Sequence, residues 1–127
     1  GICGLRAGVE GLSENIRVRS ILGRFLEHSR IYAFCNDGDT DLYIGSADLM
    51  HRNLDRRVEA LVRITDPEMI ERLTWLVTHA ASDAVTSWWL EPDGSWVRHV
   101  TGPDGERLED IQTTLMARAR ARVKSRD

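Results

Sequence analysis

Cysteine is scarce in this 127-residue chain. Cys3 and Cys35 are too few and too far apart in sequence for a disulfide framework or a zinc site, which fits a reducing compartment. Long apolar runs are missing too, so neither a membrane span nor a secretory signal is legible. Net charge is only −3, a balance that advertises neither nucleic acid nor an anionic membrane. His51, His79 and His99 lack metal-ligand spacing. Internal repeats and low-complexity tracts are absent as well. What remains, 42% hydrophobic and 29% charged residues, is ordinary for a soluble globular domain. A chain of this length fits one such domain, 1–127, with a core that needs no disulfide. The chain opens on Gly1-Ile2-Cys3-Gly4-Leu5, without an initiator Met or polar lead-in, and reads as a piece of a longer protein.

Apolar spacing gives a coarse secondary structure. Ile2–Leu5 reads as a short strand. Ser13 reads as an N-cap, and the helix after it carries Val18, Ile21, Leu22, Phe25 and Leu26 on one face before ending near His28. Ile31–Cys35 and Leu42–Ile44 are strand candidates around the hairpin turn Asn36-Asp37-Gly38-Asp39. Val58–Ile64 is a third. Asp66-Pro67 opens a helix with Ile70, Leu73, Val77 and Ala80 on one side. Trp88-Trp89-Leu90 and Trp96-Val97 flank Pro92-Asp93-Gly94 as a second hairpin, and Gly102-Pro103-Asp104-Gly105 is a further turn. Leu108, Ile111, Leu115 and Ala119 mark a last helix with an Arg-rich tail. The fold class is α/β, a mixed sheet packed with helices. The cysteines read as small core residues, and the Trp cluster as core packing or, less commonly, a base-stacking surface.

Polar residues collect where strands end. His28 and Arg30 precede the first strand of the first hairpin, and Gly45-Ser46-Ala47-Asp48 follows its partner. Antiparallel pairing returns both segments to one edge of the sheet, so His28 and Ser46 are expected to face one pocket, with Arg57 opening onto the same polar cleft. Asn53, Asp55, Arg56 and Arg57 follow. Together they offer the cations, hydroxyl and titratable group that a phosphoryl group requires. Each also has a plainer use. His28 suits a helix C-terminus, Arg57 a strand position paired with Glu59, and Ser46 and Asp48 a turn.

The same residues carry a family resemblance. His28-x-Arg30 followed by Gly45-Ser46-Ala47-Asp48 resembles the His-x-Lys and Gly-Ser-x-Asn segments of phospholipase D-like half-sites, with Arg30 for Lys and Asp48 for Asn. Gly8-Val9-Glu10-Gly11-Leu12-Ser13-Glu14-Asn15-Ile16, Arg24-Phe25-Leu26-Glu27-His28 and Arg52-Asn53-Leu54-Asp55-Arg56-Arg57-Val58-Glu59 resemble the last, phospholipase D-like domain of polyphosphate kinases of the first type.

That resemblance implies an enzyme that reversibly transfers the terminal phosphate of ATP to polyphosphate. It implies a phosphohistidine in a preceding phospholipase D-like domain, and an Arg just before Gly1. His28 then contacts ATP phosphates and acts as proton donor or acceptor, Arg57 contacts phosphate, and Arg30, Ser46 and Asp48 stand behind them. Mg²⁺ is implied with ATP, its ligands mainly outside this chain. The implied partners are ATP or ADP, polyphosphate, the preceding domain and further copies in a homo-oligomer, with no nucleic acid. The implied location is cytoplasmic, the whole enzyme being peripheral to the membrane at most, and the piece alone is expected to be inactive. The alternatives are another phospholipase D-like phosphodiesterase or nuclease half, and a non-catalytic anion-binding module.

Overall fold

A computed structural model describes residues 3–124. They fall into two compact units: the described parts of Gly1–Phe25 and Ala81–Asp127 form one, and Leu26–Ala80 forms the other. The α/β class is as expected, with the strands shared between two antiparallel three-stranded sheets.

The unit Leu26–Ala80 holds the polar strand ends. Its elements are strands β2 (Ile31–Asn36), β3 (Asp39–Gly45) and β4 (Leu61–Ile64), with helix α1 (His51–Arg56) before β4 and helix α2 (Pro67–Ala80) after it. Register pairs Ile31 with Ile44 and Ala33 with Leu42, and then Leu42 with Ile64 and Ile44 with Val62. Alternation therefore gives one face a set of aliphatic side chains, and α2 packs on β2 and β3. Leu42, at the centre of the middle strand, is 0% exposed. The expected turn closes the β2–β3 hairpin with Asp37 at φ 50° and Gly38 at φ 95°, two positive values that a two-residue loop of this hand requires. Asp66 caps α2 by accepting from the Met69 amide at 2.9 Å, and Pro67 occupies the first position, where no amide is needed.

In the other unit, β1 (Arg19–Ser20) lies beside β5 (Ser87–Leu90), which pairs with β6 (Trp96–His99). The expected Trp hairpin turns at Gly94, φ 88°. The Gly102–Gly105 turn follows it, and helix α3 (Ile111–Lys124) closes the described chain. Ala7, Val85 and Ile111 are its buried apolar residues. Trp89 stacks on His99 with ring centroids 3.9 Å apart, and the Arg19 guanidinium lies 4.2 Å from the Trp89 ring. Trp89 is thus a packed residue, the commoner of the two readings given to the cluster.

Several expectations fail, for identifiable reasons. The helix from Ser13 to His28 does not form. Ser13 closes a turn instead, donating to the Arg6 carbonyl at 2.5 Å and accepting from the Val9 amide at 3.1 Å. Beyond it the chain runs extended, because Arg19 and Ser20 pair with Trp89 and Trp88. Gly23 and Phe25 are then clasped by Gln112, whose amide bonds both the N–H and the C=O of Phe25 at 2.8 Å. A Cβ on Gly23 would lie 2.4 Å from that amide, so a larger residue here would have to push the Gln112 side chain off Phe25. Leu22, Phe25 and Leu26, expected in the core, are exposed.

Asn53, Asp55 and Arg56, expected with Arg57 to run into the Val58–Ile64 strand, instead belong to α1, which Arg57 terminates, and β4 begins only at Leu61. The last helix starts at Ile111, leaving Leu108 in the segment before it. Cys3 and Cys35 are exposed rather than core residues. Of the strand expected over Ile2–Leu5, Cys3, Gly4 and Leu5 are irregular, and Ile2 lies outside the described residues, as does Arg126 of the Arg-rich tail. Among the described residues no helix is long and apolar enough to cross a membrane.

Candidate functional site

The site is built at the open end of the β2–β3–β4 sheet. Hydrogen bonding continues past the strands: the Gly45 amide donates to the Arg30 carbonyl at 3.2 Å, and the Ser46 amide to the Ala60 carbonyl at 3.3 Å. These bonds draw three segments together, 28–30, 45–48 and 59–60. Gly45 has to be glycine here, since a Cβ would meet the Ala60 carbonyl oxygen at 2.7 Å.

An open cavity of about 550 Å³ lies against this edge. Its lining combines polar His28, Ser29, Arg30 and Ser46 with aliphatic Ile31, Ile44, Val62, Leu73 and Leu76. His28 and Ser46 therefore line one pocket, as the pairing logic requires. His28 belongs to no helix, so a helix-capping use is gone. Arg57 is not among the lining residues; it is exposed and terminates α1 in an extended conformation.

Arg30 and Asp48 form a two-pronged ion pair. Arg30 Nε donates to Asp48 Oδ1 at 2.8 Å and Nη2 donates to Oδ2 at 3.2 Å. Arg30 Nη1 donates to the His28 carbonyl at 2.7 Å. Bonding to Arg30 first, then the charges of Arg30, Arg52 and His28, hold the Asp48 carboxyl below its ordinary range against the opposing effect of burial. Tyr32 adds a hydroxyl bond to the Ala47 carbonyl at 2.6 Å.

Glu59 and Asn53 lie inside the Arg52–Glu59 motif, which assigns neither of them a part at this edge, and the structure joins both to Ser46, Asn53 through Glu59. Glu59 accepts from the Ser46 hydroxyl at 2.5 Å on Oε2 and from Asn53 Nδ2 at 2.8 Å on Oε1. The Ser46 bond first, then the Asn53 bond, keep the Glu59 carboxyl below the usual range; Arg57 adds a smaller favourable charge, while burial and Asp48 oppose. Asn53 is only 3% exposed, and its Oδ1 is buried without a hydrogen-bond partner. The pairing of Arg57 with Glu59 on one strand is thus replaced by a longer-range attraction. A period-based signal could not find Asn53, because α1 is too short and too polar to show one.

No group of three or more His, Cys, Asp or Glu side chains among the described residues is placed to hold a metal ion. The carboxylates nearest the cavity, Asp48 and Glu59, have their oxygens engaged by Arg30, Ser46 and Asn53. This donor set does not fit a Mg²⁺ cage, which needs free carboxylate oxygens in octahedral array. His51 is paired with Asp55 on α1.

A family model described as polyphosphate kinase C-terminal domain 2 matches residues 1–110. A polyphosphate kinase of Streptomyces coelicolor is 59% identical over 122 residues, covering 96% of this chain and 16% of that protein. A polyphosphate kinase of Mycobacterium avium is 51% identical over 121 residues, 95% of this chain and 16% of its own length. The crystal structure of polyphosphate kinase from Porphyromonas gingivalis superposes with a TM-score of 0.77 at 26% identity, covering 89% of this chain and 17% of that one. The chain spans 16% of the length of the curated relatives named here.

Proposed function

Because the chain belongs to the polyphosphate kinase C-terminal domain 2 family, we propose that it is the part of a polyphosphate kinase that grips the phosphates of ATP beside a histidine carried elsewhere in the parent protein. The observation that carries this reading is the placement of His28 and Ser46 on one cavity at a strand-end edge, with Arg30 and Asp48 locked behind them. Fixed donors next to a titratable imidazole are what phosphoryl transfer asks of a protein, since positioning and charge stabilisation dominate that reaction.

In the proposed sequence the bond from the γ-phosphorus to its bridging oxygen breaks, ADP leaves, and a bond to an imidazole nitrogen of the parent's other histidine forms. A terminal oxygen of polyphosphate then attacks that phosphorus, and the phosphorus–nitrogen bond breaks. Each step is reversible. His28 donates a proton or hydrogen bond to the departing oxygen in the first step and recovers it from the entering chain in the second. Arg57 supplies positive charge to phosphate from the end of α1. Mg²⁺ travels with the nucleotide, and the donor set here gives it no separate seat. The parent works in the cytoplasm, as a homo-oligomer, with the preceding phospholipase D-like domain completing the site.

The test is direct. The complete parent is incubated with ATP and a polyphosphate primer, and chain growth is followed with and without His28→Ala. A parent that never elongates polyphosphate would end the proposal.

A further inference from the structure

Arg30 has the residue type and position expected of a phosphate ligand, yet its guanidinium is engaged. Three of its five N–H groups are directed at Asp48 Oδ1, Asp48 Oδ2 and the His28 carbonyl. A phosphate reaching this fork would have to displace a two-pronged carboxylate and would meet that carboxylate's negative charge. Conversely, the arrangement is well built to hold something. Residues 46, 47 and 48 are tied in succession, Ser46 to Glu59, Ala47 to Tyr32 and Asp48 to Arg30. Arg30 is the tie that also reaches His28.

We infer that Arg30 is a positioning residue, which clamps the His28 backbone to the Ser46–Asp48 loop and leaves the phosphate to His28 and Arg57. The inference rests on the kinase reading for its catalytic consequence, but the clamp itself is a property of this chain. An ammonium in place of the guanidinium keeps the charge and cannot span two carboxylate oxygens and a carbonyl at once. Asparagine in place of Asp48 keeps the shape and removes the charge that draws the fork. The clamp therefore predicts that both conservative changes do harm, and through His28.

The experiment compares wild-type parent enzyme with Arg30→Lys, Asp48→Asn and the double variant Arg30→Lys/Asp48→Asn. The single variants should lower kcat by roughly 10- to 100-fold, the scale of an approximately 1 Å misplacement, while KM for ATP stays close to wild type. The double variant should be no worse than the more damaging single one, since both break the same clamp. In the same parents, amide hydrogen exchange over residues 45–48 should quicken in Arg30→Lys and Asp48→Asn. Arg30→Lys with wild-type kcat would overturn the clamp, and a raised KM in Arg30→Lys beside a neutral Asp48→Asn would overturn it by making Arg30 a phosphate ligand. So would unchanged exchange across that loop, or lowered melting temperature with kcat intact. If the wild-type parent makes no polyphosphate, the kinase reading falls, and the exchange measurement still decides the clamp.

Discussion

Ser46 donates its hydroxyl to Glu59 at 2.5 Å, tying the loop after β3 to the segment that enters β4. That bond, and the Asn53 bond to the other carboxylate oxygen, are strongest while Glu59 is ionised, since protonation places a hydrogen on one of the two accepting oxygens. Asp48 depends on ionisation in the same way through Arg30.

A pH dependence follows from these two carboxyls. Both are held below their ordinary range in the folded chain, Asp48 chiefly by bonding to Arg30 and Glu59 chiefly by bonding to Ser46. A depressed folded-state value means that the unfolded chain binds more protons as pH falls through the window between the two values. Their stabilising contribution is complete above the ordinary carboxylate range and is lost as pH drops toward the folded values. Both groups sit in solvent contact, so screening keeps the effect small. Melting temperature measured from neutral pH downward should fall across that window. Glu59→Gln should flatten its share of the fall while lowering stability at neutral pH. An identical acid profile in Glu59→Gln would show that the network carries no ionisation-linked stability.

Legibility in the sequence followed the range of the interactions. The β2–β3 hairpin and α2 were readable because local chemistry decides them. Asp37-Gly38 fits a turn with two positive φ values, and Asp66-Pro67 is a helix start in itself. The shared edge of His28 and Ser46 was also readable, because antiparallel pairing alone returns those segments together. Val18 through Leu26 misled because its apolar spacing matches a helix, whereas β5 and Gln112 supply partners for an extended backbone. Distant pairing overrode local period there. Glu59 and Asn53 stand inside a motif, but their bonds to each other and to Ser46 span six and thirteen residues, and the motif does not announce that triad.

His28→Ala should cut polyphosphate synthesis by the complete parent by about 10²-fold or more, the usual range for removing a positioned acid–base group. The fold should survive, because His28 lies on an exposed irregular segment outside every helix and strand. Turnover and thermal melting measured on one preparation make the comparison. Near-normal turnover would reduce His28 to a residue that merely lines a cavity.

Arg57→Lys should be damaging even though it keeps the charge. Arg57 is exposed at the end of α1, and none of the observed ion pairs orients it in this chain, so its guanidinium is available to phosphate. A planar fork grips two oxygens where an ammonium offers a point charge. Both the KM for ATP and kcat of the parent should worsen. Full activity in Arg57→Lys at limiting ATP would mean that only long-range charge acts from this position.

This chain by itself should transfer no phosphate. It spans 16% of the curated polyphosphate kinases it resembles, and its cavity presents His28 on one open side of a sheet edge. Transfer in line requires an attacking group, the phosphorus and a leaving group held together, and most of that geometry must come from outside these residues. The net charge of −3 gives no broad field to gather anions. Local donors remain, so weak binding of ATP or phosphate should appear as ligand-dependent shifts of backbone resonances at residues 28–30 and 45–48. Incubating the purified chain with labelled ATP should leave both protein and polymer unlabelled. Stable labelling of His28, or polymer made by the chain alone, would move the nucleophile into this domain and undo the division of labour with the rest of the parent.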